Sequence, residues 1–263
     1  MKISNTKMST DVIQLVSVLG LLAGAALMSG CATEAKAQEA IAAIPGCAEV
    51  PAYGALQDVL KTVVHGDLNG GAGNEMWGAI VNREGVVCSV AFSGDDRGAQ
   101  FPGSRTIAAA KANTSNAFSL PDSPLASGNL YKNTQPGGPI FGLESGNPVD
   151  TAVAYQGESQ MFGTAADPLV GKKIGGTIVF GGGLPLYNAA GKLVGGIGVS
   201  GDSSCADHII AWEMRAQLNG DNLPAGTTDN LTIGVGEYPD CGSGSAALIS
   251  ALPSSYPLTV VAR

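Results

Sequence analysis

The chain of 263 residues contains two histidines, His65 and His208, so chemistry that needs an imidazole has two places to sit. His208 follows Asp207 and comes three residues after Cys205. A neutral imidazole can ligate a metal or the iron of a haem, and His208 is the candidate for both roles. The competing reading of His208 is an exposed polar residue near a helix start. His65 closes a stretch of helical periodicity, where a partly charged ring favours the negative end of the helix dipole; its role reads as structural. Met161, Met214 and Tyr155 are other side chains able to hold iron, although a lone Met on a helix is more often core, the reading taken for Met214. Lys111 can pair with a ligand carboxylate such as a haem propionate, against the ordinary expectation of a solvated lysine. No C-x-x-C-H run is present, so any haem is held noncovalently.

Glycine supplies the next motif. Gly196-Ile197-Gly198-Val199-Ser200-Gly201 matches G-x-G-x-x-G literally. A dinucleotide fingerprint needs these glycines in the first strand-to-helix turn of a βαβ unit, with a parallel strand and a ribose-binding acid downstream. Here they begin inside a strand that pairs backwards in a hairpin, and no convincing strand follows the next helix. Asp202 also stands at the helix start, where a pyrophosphate needs free N–H groups. Dinucleotide binding is disfavoured. Gly195, Gly196 and Gly198 instead let a helix, a second subunit or a flat ligand approach the backbone, which makes Gly196 and Gly198 ligand-approach candidates. Ser200 does not complete G-x-S-x-G, and H-E-x-x-H, EF-hand and phosphate-loop patterns are absent.

The N-terminus reads as an export signal. Lys2 and Lys7 precede an apolar stretch from Val12 to Leu27, and Ser29-Gly30-Cys31 follows. The stretch falls short of the roughly 20 residues that span a bilayer. Cys31 resembles a bacterial lipobox cysteine, whose thiol receives diacylglycerol. Residues 1–30 are expected to be a signal peptide, 31–43 an Ala- and Glu-rich lipid-anchored tether, and 44–263 one domain with a C-terminal extension. The expected location is exported, anchored to the membrane through lipid only and facing the periplasm. Ala32 rather than Asp after Cys31 favours the outer membrane in a Gram-negative cell. Without lipidation, cleavage near Ala37-Gln38 gives a soluble secreted protein.

Loss of Lys2, Lys7 and Asp11 takes the formal net charge from −8 to −9. Such a surface repels phosphate backbones and argues against a nucleic-acid partner. Four cysteines remain, Cys47, Cys88, Cys205 and Cys241, an even count compatible with two disulfides in an oxidising compartment and with three pairings. None lies in C-x-x-C, which disfavours structural zinc.

The elements that must position these groups follow from periodicity. Tyr53, Leu56, Leu60, Val63 and Val64 predict an amphipathic helix. Met76–Val81 and Val86–Phe92 predict a hairpin across Asn82-Arg83-Glu84-Gly85. Ser104 is read as the cap of a helix over 105–118 whose small residues allow close approach to a sheet. Ser119–Pro148 reads as a long loop, with a helical turn over 150–155. Thr177–Phe180, Leu184–Tyr187 and Leu193–Val199 predict strands, followed by a helix from 202–204 to Leu218. After Gly220 the chain reads as loop, with an edge strand at Leu258–Val261. Adjacent hairpins with helices outside them predict an α+β sandwich around a central antiparallel sheet.

Residues 181–211, "GGGLPLYNAAGKLVGGIGVSGDSSCADHIIA", resemble the signature of the GlcG/HbpS family of haem-degrading-domain proteins, with Asp207 as the early acidic residue of its helix. Residues 104–118, "SRTIAAAKANTSNAF", are similar to the family's Lys-Ala-x-Thr helix, here Lys111, Ala112 and Thr114. The resemblance runs from about Tyr53 to Leu218. It implies a profilin-like or PAS-like sandwich with helices flanking the sheet, assembly into a homo-oligomer, and capture of haem or a related small planar ligand. The implied cofactor-binding set is His208, Thr114, Lys111, Asp207, Gly196 and Gly198, with His208 as the metal ligand. An enzyme acting on haem or another small molecule at an intersubunit pocket is the alternative. The 119–148 insertion, the four cysteines and the extension after Leu218 depart from the compact family pattern.

Overall fold

The computed structural model describes residue 36, residues 38–66 and residues 70–261. The expected signal peptide, Cys31 and the first part of the tether lie outside the described residues. Among the described residues, no helix is long and apolar enough to cross a membrane.

Helix α1 (Tyr53–Val64) forms where the periodicity places it and buries Leu56, Leu60 and Val63. Strands β1 (Trp77–Asn82) and β2 (Val87–Phe92) make the first hairpin. Its turn is closed by Asn82, whose Oδ1 accepts from the N–H groups of Glu84 and Val86. Helix α2 (Ser104–Phe118) follows, then a second hairpin of β3 (Gly183–Tyr187) and β4 (Leu193–Ser200), and then α3 (Ser204–Gln217). The Ser203 hydroxyl caps α3 by accepting from the N–H of Ala206.

Strand β4 pairs with both β1 and β3, so the sheet runs β2-β1-β4-β3 and is antiparallel throughout. Antiparallel sheets commonly leave one face in water, yet every residue of these four strands is buried. Helices on both faces explain it. On one side α1 and α3 pack Leu56, Leu60, Ile209 and Ile210 against Ile80, Ile197 and Val199. On the other, α2 packs Ala108, Ala109 and Ala112 against Trp77, Ala79 and Val81. Fully burying one leucine contributes about 1.5–3 kcal/mol, so Leu56 and Leu60, both without exposure, account for much of the hold of α1.

The glycines of β3 and β4 explain how α2 sits so close. A Cβ on Gly198 would collide with the backbone of Ala108, one on Gly196 with that of Ala112, and one on Gly183 with that of Lys111. The G-x-G-x-x-G run therefore admits a helix, and Gly196 and Gly198 face α2 within the fold.

Several expectations are corrected. Thr177–Phe180 forms no strand, because the N–H groups of Thr177 and Ile178 go to Asn147 O and to Thr114 Oγ1 instead of a ladder. Ser104 is the first residue of α2 and makes no cap; Gly103 precedes it. The 119–148 loop carries a 3-10 turn at Ser127–Leu130 and helical turns at Tyr131–Thr134 and Leu143–Gly146. The turn expected near 150 is present at Thr151–Ala154, capped by Asp150. The tail read as loop contains α4 (Ser245–Ser255) and β5 (Asn222–Pro224), which pairs in parallel with β6 (Thr259–Val261). Helix α4 has Pro253 within it and a weak local signal; Ile249 and Leu252 hold it in the core formed with α3, and Trp212 Nε1 donates to Tyr256 O. The cysteines pair as Cys47–Cys88 and Cys205–Cys241.

Candidate functional site

Lys111 and Asp207 come together although α2 and α3 lie on opposite faces of the sheet. Lys111 Nζ donates to Asp207 Oδ2 at 2.5 Å and to Val199 O at 3.1 Å, and both side chains are buried. Asp207 Oδ1 accepts from the N–H of Asp202. The opening between the layers is made at Gly182, with φ +108°, where a Cβ would stand 2.6 Å from Val199 O and 3.1 Å from Lys111 Nζ. Burial raises the Asp207 carboxyl to about 6, with the Lys111 charge opposing that rise. The expectation of a solvated lysine fails here: burial is possible because both protons and charge find partners.

His208 is fully buried, so the reading of it as an exposed polar residue is also corrected. Its Nε2 lies 3.1 Å from Asn230 Oδ1. Asn230 Nδ2 donates to Ile249 O, which fixes the amide and makes Nε2 of the neutral ring the donor. Nδ1 is then a buried lone pair without a partner. Burial lowers the His208 pKa to about 4. The segment from Asp229 to Cys241 encloses the ring. It is fastened by the Cys205–Cys241 disulfide, by Tyr238 Oη donating to Ser204 Oγ, and by the buried pair of Arg215 with Asp229 at 2.5 and 2.9 Å.

The other sequence candidates are dispersed over the fold. Thr114 Oγ1 donates to Ala110 O and accepts from the N–H of Ile178, so both bonds lie inside the fold. Met214 is core, while Met161 and Tyr155 are exposed. His65 lies at the end of α1 and pairs with Glu75 at 3.0 Å.

A groove that spacing alone does not reveal runs between α1 and the loops 94–102 and 159–164. One cleft of about 350 Å³ includes Tyr53, Lys61, Phe92, Arg97 and Phe162 in its walls. An adjoining cleft of about 300 Å³ shares Arg97 and Phe162 and adds Trp77 and Pro102. Both are within the size range of small-molecule sites. The Trp77 and Phe92 rings stack at 4.6 Å. Phe162 is held by the Arg105 guanidinium, 3.7 Å over its ring, and Arg105 is itself anchored by the buried Asp167 carboxylate. Trp77 Nε1 is a buried donor with no acceptor. These side chains come from segments far apart in sequence, and only Met161, beside Phe162, gave a sequence hint.

The fold and these sites define an α+β sandwich whose four-stranded antiparallel sheet is covered by helices on both faces. Residues 70–216 match the family described as haem degrading protein HbpS-like, and the chain belongs to this family. Helix α1 and the segment that encloses His208 lie outside the matched residues. Among solved structures, the chain is similar to Klebsiella pneumoniae protein ORFY, with 20% identity and a TM-score of 0.38 over 55% of this chain and 75% of that one. It is also similar to the PduOC:heme complex, with 23% identity and a TM-score of 0.42 over 65% of this chain and 96% of the other. No curated protein matches the chain.

Proposed function

We propose that this protein is an exported, lipid-anchored binding protein that captures haem or a closely related planar ligand, acting as a homo-oligomer. Membership of the HbpS-like family through residues 70–216 carries this reading. The two disulfides support an oxidising exported compartment. Exposed apolar side chains, among them Phe101, Phe141 and Phe180, support burial against further copies. The family description also supports an alternative in which captured haem is degraded.

A haem titration of the purified chain, following the Soret band and molecular mass together, tests the reading. Saturation at a fixed ratio per subunit is the expected result. A spectrum indistinguishable from free haem throughout would sink it. Turnover with an added reductant distinguishes degradation from capture.

A further inference from the structure

The two disulfides sit in unlike surroundings. Cys47 and Cys88 are both buried, at 5% and 2% exposure. The other bond joins Cys205, wholly buried, to Cys241, which is partly exposed within an exposed stretch from Pro239 to Gly244. We infer that Cys205–Cys241 is a thiol-exchange site, attacked at Cys241 by an external dithiol, and that the state of this bond sets how firmly the tail is held over His208. The inference goes beyond the haem-capture reading and shares with it the exported compartment, where disulfides form and exchange.

Three observations support it. Exchange begins when a thiolate reaches a disulfide sulfur, and Cys241 is the most accessible of the four bonded cysteines. Cys205 lies in the first turn of α3, where the N–H groups of a helix start stabilise a thiolate and make it the better leaving group. Nearby acids oppose this, but each is engaged: Asp207 pairs with Lys111, Asp202 accepts from the N–H groups of Ala72 and Asn74, and Asp240 accepts from the N–H of Gly242 and from Ser245 Oγ. Lastly, the bond ties the start of α3 to the end of the segment that encloses His208, whose Nδ1 is buried without a partner. Such a group favours any loosening that admits water.

The exchange balances without a further reactant. A thiolate of the dithiol bonds to Cys241 Sγ, the Cys205–Cys241 bond breaks, and its electron pair leaves on Cys205 as thiolate. The second thiol then displaces Cys241 as thiolate, so the dithiol ends as its own disulfide and the chain is reduced by two electrons. The tail is then held without a covalent tie, by Tyr238 on Ser204, by Arg215 on Asp229 and by Lys132 on Glu237. The last of these is an exposed pair and contributes little.

The oxidised full chain is incubated with dithiothreitol in the absence of denaturant, alkylated with N-ethylmaleimide at intervals and mapped by peptide mass, while circular dichroism follows the fold. Cys205 and Cys241 are expected to become reduced at least about tenfold faster than Cys47 and Cys88, with the dichroism unchanged. Glutathione in place of dithiothreitol, quenched early, should leave its adduct on Cys241. In the reduced chain the His208 ring-proton resonances should shift and the amides of Leu231 to Tyr238 should exchange faster, with His65 unmoved. Reduction of both bonds together, reduction that follows loss of the dichroism, or glutathione on Cys205 overturns the exchange site. Selective reduction with His208 and tail exchange unchanged overturns the hold on the tail. No haem is added in any arm, so failure here leaves haem capture standing.

Discussion

Lys111 Nζ and Asp207 Oδ2 meet at 2.5 Å through a gap in the sheet, each reaching from a helix on a different face. The pair ties the two helical layers together at one point, and Gly182 keeps that point open. Removing one partner of a buried pair leaves an uncompensated charge and costs about 3–5 kcal/mol. Lys111→Met is expected to lose stability on that scale at neutral pH, measured by urea denaturation. Adding Asp207→Leu should restore part of it; a double variant less stable than the single would mean that packing, not charge, governs the position.

Asp207 and His208 should pull stability in opposite directions with pH. The folded Asp207 pKa is raised from 3.8 to about 6, so its contribution is full below about 3.8 and lost as pH rises through 6. The folded His208 pKa is lowered from 6.5 to about 4, so its contribution is present above 6.5 and lost as pH falls through 4. Relative to the unaltered chain, Asp207→Asn should gain stability as pH rises from 4 to 6, and His208→Gln should gain it as pH falls from 6.5 to 4. Parallel denaturation curves across this window for all three proteins would refute the assignment.

The close seat of α2 gives a steric test. Gly198→Ala places a methyl group against the backbone of Ala108 and Ala112, which a flexible side-chain movement cannot relieve. A loss of about 1–3 kcal/mol or more is expected, seen as a lower Tm. Gly146→Ala meets nothing within 4 Å and should stay within about 0.5 kcal/mol of the parent.

The Cys205–Cys241 disulfide closes a separation of 36 residues and fastens the segment over His208. Its removal by Cys205→Ser with Cys241→Ser should cost about 2–5 kcal/mol. Loosening of the cover should also bring the His208 pKa up from about 4 toward 6.5, followed by NMR of the imidazole protons. A ring that still titrates near 4 would show that Arg215, Asp229 and Asn230 hold the cover unaided.

What the sequence determined by itself was the local layer. Period and turn chemistry placed α1, both hairpins, α2 and α3, because those signals are written within a few residues of one another. The glycines of β4 announced a close approach, and the 104–118 and 181–211 stretches pointed to the family. Tertiary structure alone decided what approached those glycines, since an α2 backbone and a flat ligand ask the same thing of a glycine. It also decided the fates of the polar candidates. Lys111 and His208 are types that usually meet water, and only partners distant in the chain, Asp207 and Asn230, allowed them to be buried. Likewise α4 drew its stability from packing in the core with α3, and the groove of Trp77, Arg97 and Phe162 assembled side chains that share no sequence period.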